Sequence, residues 1–343
     1  MSLPSGQSKK GRYLFIVAAL VLFAVWLSST GWRTKTVPPA DGCAGIQKAI
    51  DSLPASGGEV ILEAGTYLCR HPVVISRDRV RLRGTGPSTV LKLADRANCP
   101  VIVIGSIVPQ PANDVSGVSV SDLAIDGNRA GQQFECWDGV CDTGEKTVIR
   151  SSGIVFRRAV DCQIARINAS QCRSAGVVTE KGCRRLTVSD LTATGNQFDG
   201  LACYETEESV FTRLHLHDNP FAGISLDWRF NGNVISDAVL VRNGAQGVFM
   251  RDARRNQFHG IVIRGSGQQG VFIAQVEDKP ETAATHNVFT GLTIEHSAGA
   301  AVRINDASCV SNGFQGAALF DNKGGGVSEA VPGLARTDGV VSH

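Results

Sequence analysis

The sequence lacks any strong excess of charge. Its 34 Lys and Arg residues are matched by 32 Asp and Glu residues, so the formal net charge of the 343-residue chain is only +2. Proteins that bind nucleic acid usually carry a clear positive excess, because they must neutralise phosphates. The composition therefore predicts no nucleic-acid partner.

The sequence is also poor in the features of disordered chains and of metal centres. Its 38 Gly and 12 Pro make up about 15% of the residues, whereas low-complexity disordered chains contain roughly 25–30%. Hydrophobic residues make up 43%, which is enough for a core. No Cys and His residues cluster at the spacing of metal ligands. We therefore expect a folded protein without a Cys/His metal centre.

Long apolar runs are missing except at the amino terminus. Residues 13–27 are consecutive apolar residues that follow Lys9, Lys10 and Arg12, a pattern typical of a secretory signal or a signal anchor. No Ala-x-Ala cleavage site follows, which favours an uncleaved membrane anchor over a cleaved signal. Both alternatives place the rest of the chain in the periplasm or the extracellular space.

The ten Cys residues fit an oxidising compartment, where disulfides persist. Their spacing does not fix the pairing. Cys136 and Cys141 bracket a short apparent loop and are the best candidates for a local disulfide. Cys203 lies at an inward strand position, which predicts a buried thiol.

A Gly followed by an apolar-x-apolar triplet recurs every 23 or 24 residues. Alternation of period two places the first and third residues of each triplet on one face of a strand. A seventh copy begins at Ala301, after a longer interval of 31 residues. The first six copies begin at Gly153, Gly176, Gly200, Gly223, Gly247 and Gly270.

A turn residue recurs with the same period. Asn196, Asn219 and Asn243 lie four residues before the next Gly, and Ser266 and Ser297 occupy the same place in later copies. Asn and Ser suit tight turns. Such turns between β-rich runs, without helical periodicity, are typical of a parallel β-solenoid, whose preferred hand is right. Leucine-rich repeats have a similar length, but their Leu-rich consensus and helical segment are missing.

A solenoid needs a cap on its terminal coil. Residues 41–53 place Ile46, Ala49, Ile50 and Leu53 at helical spacing, which predicts an amino-terminal capping helix. The predicted segments are a cytoplasmic region at 1–12, the signal segment at 13–32, a linker at 33–40, the solenoid at 41–325 and a poorly ordered tail at 326–343.

Three runs carry a family resemblance. DGCAGIQKAIDSLPASGGEVILEAGTYL, VRLRGTGPSTVL and DLAIDGN resemble the opening of the pectate-lyase-like superfamily, and the Gly repeats continue it to about residue 325. The resemblance implies an all-β, right-handed parallel β-helix. It also implies one of several activities, because the superfamily contains polysaccharide lyases, polygalacturonase-like hydrolases, uronate C5-epimerases and non-catalytic members.

Outward residues of stacked coils should form columns about 4.8 Å apart. Two columns combine carboxylates, guanidinium groups and aromatic rings, as expected of a groove for an acidic polysaccharide; the alternative is a solvated face of alternating charge. A long insertion at 129–150 precedes the regular copies, where loops often line a groove. The predicted substrate-binding residues are Arg157, Glu180, Trp228, Phe249 and Phe272.

Catalysis is expected in the coils from 199 to 252. Asp199 departs from its own column and sits in NQFDG, similar to the Asn-Gly-x-Asp-Gly runs of alginate-epimerase-like proteins. Removal of a C5 proton requires a base, for which Tyr204 is the best candidate, and a cation such as Arg251 or Arg157 at the neighbouring carboxylate. The predicted catalytic residues are Asp199, Tyr204, Glu205, Asp227, Arg251 and Asp252.

Two alternatives to a lyase or epimerase remain open. Glu180 and Asp227 lie two coils apart, about 9.6 Å between backbones, near the roughly 6.5–9.5 Å used by inverting glycoside hydrolases. The Asp-Pro-His motif of alginate epimerases and the paired aspartates and Arg-x-Lys of polygalacturonases are absent, which favours a non-catalytic scaffold. Calcium is an open alternative as cofactor, with Glu180, Glu205, Asp227 and Asp252 as its carboxylate ligands.

Overall fold

The computed structural model describes residues 32–133, 135–137, 140–141 and 149–342. Each regular coil contributes one strand to each of three parallel sheets. Sheet I contains Val73–Ile75, Ile102–Ile104, Ile154–Arg157, Val177–Glu180, Leu201–Tyr204, Ile224–Asp227, Val248–Met250, Val271–Ile273, Val302–Ile304 and Val327–Glu329. Sheet II contains Val115–Ser116, Ala159–Val160, Cys183–Arg184, Thr206–Glu207, Phe230–Asn231 and Ala253–Arg254.

Sheet III is the widest sheet and carries the longest strands. Its members are Arg33–Val37, Gly58–Leu62, Gly65–Cys69, Val80–Arg83, Thr89–Leu93, Ser119–Asp126, Gln163–Ser170, Thr187–Thr194, Val210–His217, Val234–Val241, Gln257–Arg264, Val288–Thr290, Thr293–Glu295, Asn312–Gln315, Ala318–Phe320, Ala335–Asp338 and Val341–Ser342. A separate antiparallel pair joins Cys136–Trp137 to Val140–Cys141. Three 3-10 turns lie at Pro39–Asp41, Arg129–Gly131 and Pro280–Thr282.

The capping helix is present as α1, Gly42–Asp51, which buries Cys43, Ile46 and Ile50. It packs on the first coils, where Cys43 forms a disulfide with Cys69. The predicted all-β parallel solenoid with one short amino-terminal helix is therefore confirmed. Residues 326–343 were predicted to be a poorly ordered tail. In the structure they contain three strands, and all three pair in parallel with the preceding coil.

The Gly-initiated triplets form sheet I in the predicted register. Ile154 pairs with Val177, and Phe156 with Thr179. These first and third residues are buried, and the apolar ones belong to one continuous core, because alternate side chains point to opposite faces of a strand. Cys203 is a buried free thiol, as predicted.

The repeated Asn residues form a buried hydrogen-bonded ladder at the turn from sheet III to sheet I. Asn196 Nδ2 donates to Asn219 Oδ1 at 3.1 Å, and Asn219 Nδ2 donates to Asn243 Oδ1 at 3.0 Å. A second ladder, at the turn from sheet II to sheet III, was not predicted. It runs through Asn233, Asn256, Asn287 and Asn312. Both ladders satisfy amide groups that would be costly to bury alone.

Two predictions fall on parts of the chain that the structure does not describe. The signal segment 13–32 lies outside the described residues except for Trp32. The side chains of Cys136 and Cys141 are likewise outside the description, although their backbones pair opposite each other. From residue 32 onward, the described part of the chain contains no helix with the length and apolar character to cross a membrane.

Candidate active site

The candidate site lies on the outer face of sheet I. The fourth residues of successive strands align as predicted, since Arg157 pairs with Glu180 and Tyr204 with Asp227. Asp199 belongs to the turn that precedes strand Leu201–Tyr204. The solenoid repeat therefore presents an aligned row of ionisable side chains.

Arg150 joins this row from the end of the insertion. Its Nη1 atom donates to Tyr204 Oη at 3.0 Å, and its guanidinium carbon lies 5.2 Å from the centre of the Tyr204 ring. Burial raises the pKa of the Tyr204 phenol, and the positive charge of Arg150 opposes that rise. Arg150 lies outside the repeats and was not predicted as a site residue, although a groove-lining role was predicted for the insertion that contains it.

Asp199 is buried beside Tyr204 and Arg150. Its Oδ1 atom accepts a hydrogen bond from the backbone N–H of Ala222 at 2.9 Å. Burial raises the pKa of Asp199 to about 7, against the opposing charge of Arg150. A carboxyl group with such a pKa populates both protonation states near neutral pH, which suits general acid or base catalysis.

Asp227 and Arg251 form the next ion pair along the row. Arg251 Nε donates to Asp227 Oδ2 at 3.1 Å, Arg251 Nη2 makes a shorter contact with the same oxygen, and the backbone N–H of Trp228 donates to Oδ1 at 2.9 Å. Burial raises the pKa of Asp227, and Arg251 opposes that rise. The Arg251 guanidinium also lies over the Phe249 ring, 5.0 Å from its centre.

Arg157 has to be removed from the predicted substrate-binding set. Its side chain is fully buried, and Nη1 donates to the carbonyl oxygens of Ser106 and Val108 at 2.6 and 2.7 Å. Arg157 Nε lies 2.6 Å from Glu180 Oε1, an ion pair without hydrogen-bond geometry. Arg157 therefore holds the loop that covers it and is not available to a substrate. Burial also raises the pKa of Glu180.

Glu205, Trp228 and Asp252 lie one residue beyond the row, at the edge between sheets I and II. All three have positive φ angles of 42 to 52°, which turn the chain out of the sheet. Glu205 pairs with Arg229 at 3.0 Å, and Trp228 is 53% exposed. Glu205 and Asp252 therefore belong to the rim of the site.

The four carboxylates proposed as calcium ligands do not fit a calcium site. Each is paired with its own guanidinium group: Glu180 with Arg157, Glu205 with Arg229, Asp227 with Arg251 and Asp252 with Arg254. Calcium needs several carboxylate or carbonyl oxygens that converge on one point. Within the described residues no group of three or more His, Cys, Asp and Glu side chains is arranged to hold a metal.

Phe249 and Phe272 form a pair of stacked aromatic rings that begins beside Arg251. The two residues are in register, and their rings stack with centres 5.7 Å apart and planes 9° apart. Both side chains are partly exposed on the outer face of sheet I. The structure thus places Phe249 next to Arg251, and Phe272 one coil beyond Phe249.

Comparison with curated proteins gives matches to mannuronan C5-epimerases of Azotobacter vinelandii. AlgE5 is 27% identical over 256 residues, which are 70% of this chain and 24% of AlgE5. AlgE2 is 27% identical over 251 residues, 68% of this chain and 24% of AlgE2. The chain therefore spans about a quarter of the length of these two relatives.

Solved structures and family models agree on the fold. The A-module of mannuronan C-5 epimerase AlgE6 from Azotobacter vinelandii has a TM-score of 0.57 at 18% identity, over 88% of this chain and 95% of that module. The amino-terminal fragment of bacteriophage Phi29 gene product 12 has a TM-score of 0.68 at 15% identity, over 94% of this chain and 60% of that fragment. The model of the right handed beta helix region matches residues 112–281 and 152–330. This match covers more than half of the chain, which therefore belongs to the right-handed β-helix family.

Proposed function

We propose that the protein binds a uronic-acid-containing polysaccharide on the outer face of sheet I and removes the C5 proton of a uronate residue, as a C5-epimerase or a lyase. The observation that carries the proposal is the hydrogen bond from Arg150 to Tyr204 beside the buried Asp199. The mannuronan C5-epimerases among the relatives support the same substrate class.

The shifted pKa values support one assignment of the proton transfers. The raised pKa of Tyr204 keeps its phenol protonated at neutral pH, which supports Tyr204 as the proton donor in this proposal, whereas the sequence favoured it as the base. Asp199, with a pKa of about 7, is the base that accepts the C5 proton. Tyr204 then protonates C5 from the other side in an epimerase, or the leaving O4 in a lyase.

Guanidinium groups provide the remaining chemistry. Loss of the C5 proton places additional negative charge on the adjoining carboxylate, and fixed cations in a partly buried site stabilise that charge. Of the two cations predicted from the sequence, Arg251 is the accessible one: 34% of its side chain is exposed, against 0% for Arg157. Arg150 holds the Tyr204 hydroxyl in place.

The test is an assay of the full chain with polymannuronate, polyguluronate and polygalacturonate. C5 exchange in D₂O followed by NMR reports epimerisation, absorbance at 235 nm reports elimination, and reducing ends report hydrolysis. Turnover in the first or second assay supports the proposal. Reducing ends without unsaturation indicate hydrolysis, and binding without any product indicates a scaffold; both outcomes contradict it.

Variants connect the activity to these residues. Tyr204→Phe, Asp199→Asn, Asp227→Asn and Arg251→Ala should each lower kcat/KM at least about tenfold, or about 1.4 kcal/mol of transition-state stabilisation. Asp190→Asn on sheet III is the matched carboxylate control and should retain activity. Full activity of the Tyr204 and Asp199 variants would place the reaction elsewhere.

We also propose that the amino terminus stays in the cytoplasm and that the solenoid is exported. The support is the basic cluster of Lys9, Lys10 and Arg12 before the apolar run, because positive residues flank the cytoplasmic end of such segments. Protease added to intact cells or spheroplasts should digest residues 41–343. Protection of that segment in the compartment where the chain is made would contradict the proposal.

A further inference from the structure

The outer face of sheet I is covered at one end and open at the other. One outward column shows the change, because its members are in register from coil to coil. The exposed fractions are 0% for Val155, 1% for Val178, 0% for Ala202 and 9% for Ser225, whereas Phe249, Phe272 and Arg303 are partly exposed. Outward residues of a bare solenoid would face water throughout.

Two segments cover the amino-terminal coils. Ile149 packs against the cluster of Val155, Val178 and Ala202, and Arg150 continues over the face to Tyr204. The base of the insertion is fixed by Glu135, whose Oε1 accepts a hydrogen bond from the backbone N–H of Ser151 at 3.2 Å.

The second segment is the loop at 105–114, which lies over strand Ile154–Arg157. Arg157 holds this loop through the carbonyl oxygens of Ser106, Val108 and Pro109. The loop covers the coil of Arg157, and the segment of Ile149 and Arg150 extends the cover to the coil of Tyr204. The groups assigned to proton transfer therefore lie at the closed end of a groove that continues only toward the carboxy-terminal coils.

From this closed end we propose that the groove binds the end of an acidic polysaccharide chain, with a terminal uronate at Tyr204 and the following sugars over Phe249, Phe272 and Arg303. The protein would thus act on chain ends rather than on internal residues. The proposal rests on the proposed function for the reaction, but the binding mode follows from the covered and open coils alone.

The open coils suit such a chain. The stacked rings of Phe249 and Phe272 form an apolar step for the C–H faces of sugar rings. Arg303 follows one coil beyond Phe272, and its Nη1 donates to Ser328 Oγ at 2.8 Å, which orients the guanidinium for a carboxylate. Arg303 lies four coils from Tyr204, roughly 19 Å at about 4.8 Å per coil, so the groove has room for several sugars.

Alternatively, the polysaccharide chain would cross sheet I from one edge to the other at the coil of Asp227. Phe221 is 48% exposed on one edge and Trp228 is 53% exposed on the other. A chain on that path would pass through the site and react at internal residues. The two paths use different aromatic residues, so variants can separate them.

The experiment measures binding of oligomannuronates of two to eight residues to the full chain by calorimetry. Phe272→Ala and Arg303→Met should weaken binding of the longest oligomers about tenfold, or about 1.4 kcal/mol, and leave the disaccharide unchanged. Phe221→Ala is the matched control and should bind all lengths like the wild type.

A bulky fluorophore on one end of the octamer provides a second measurement. Placed on the end that enters the closed part of the groove, it should abolish binding, whereas the same label on the other end should be tolerated. Equal affinity for both labelled forms would overturn the proposal, as would loss of binding in Phe221→Ala with none in Phe272→Ala. End-selective binding without C5 exchange or elimination would overturn only the proposed reaction, and absence of binding to every oligomer would overturn the end-binding proposal, and the polymer assays would still decide the proposed reaction.

Discussion

Asp and Arg side chains meet on the outer faces of both sheet I and sheet III, but the Asp pKa values shift in opposite directions. On sheet III, Asp122 accepts two hydrogen bonds from Arg166, and Asp190 accepts two from Arg213. These bonds lower the pKa of both carboxyl groups. On sheet I, burial raises the pKa of Asp227 although Arg251 binds it.

The difference comes from solvent. The sheet III pairs are exposed, so the ion pair lowers the pKa at little cost in hydration. On sheet I, Asp227 is buried, and the lost hydration of its charged form outweighs the nearby guanidinium. The same two residue types therefore form an exposed pair with a lowered Asp pKa on one face and a buried pair with a raised Asp pKa on the other.

The largest difference between sheets I and III is expected in the loss of stability when an Arg is removed from an ion pair. Arg157→Met would leave Glu180 without its partner and three carbonyl oxygens without a donor. Removal of one partner from a buried pair costs about 3–5 kcal/mol. Urea unfolding should show this loss, while the matched change Arg166→Met on sheet III should cost at most about 1 kcal/mol. Equal losses in both variants would mean that the loop does not shield Arg157.

A smaller contrast is expected in the pH dependence of stability. The pKa of Asp199 is about 7 in the folded protein against an ordinary value of 3.8, so the folded state keeps a proton that the unfolded chain releases. This contribution is complete below pH 4 and is lost as the pH rises through 7. The lowered pKa values of Asp122 and Asp190 act in the opposite sense, because their contribution is lost as the pH falls below 4.

Asp199→Asn isolates the contribution of the raised Asp199 pKa, since an Asn oxygen can still accept the hydrogen bond from Ala222. Between pH 4 and pH 7 the wild type should lose at least about 1.4 kcal/mol of unfolding free energy relative to this variant, the value of one pKa unit. Unfolding in urea at both pH values measures the difference. Parallel curves for the two proteins would show that Asp199 titrates normally.

The smallest effect is expected on sheet III. Arg213→Gln removes the exposed pair with Asp190, and exposed pairs contribute about 0–1 kcal/mol. Because salt screens exposed charges, the difference from the wild type should disappear in 1 M NaCl, where the Debye length is about 3 Å. A loss that persists in salt would mean that the pair stabilises the fold by more than Coulomb attraction.

The contrast also explains what the sequence can predict. Gly153 and its equivalents marked the strands of sheet I, because a period of 23 or 24 residues is a local property of the chain. Arg150 and the loop over Arg157 could not be predicted, since their contacts join residues about 50 positions apart outside any repeat. Outward position was therefore predictable, but accessibility was not.

The Asn ladders have a consequence for how such a chain can change in length. Each Asn donates to the next coil and accepts from the previous one in the same way, as Asn219 does between Asn196 and Asn243. A duplicated coil would enter the ladder with all its amide groups satisfied. Gene duplication of one 23- or 24-residue unit could therefore lengthen the open part of the groove without disturbing the coil of Asp199 and Tyr204.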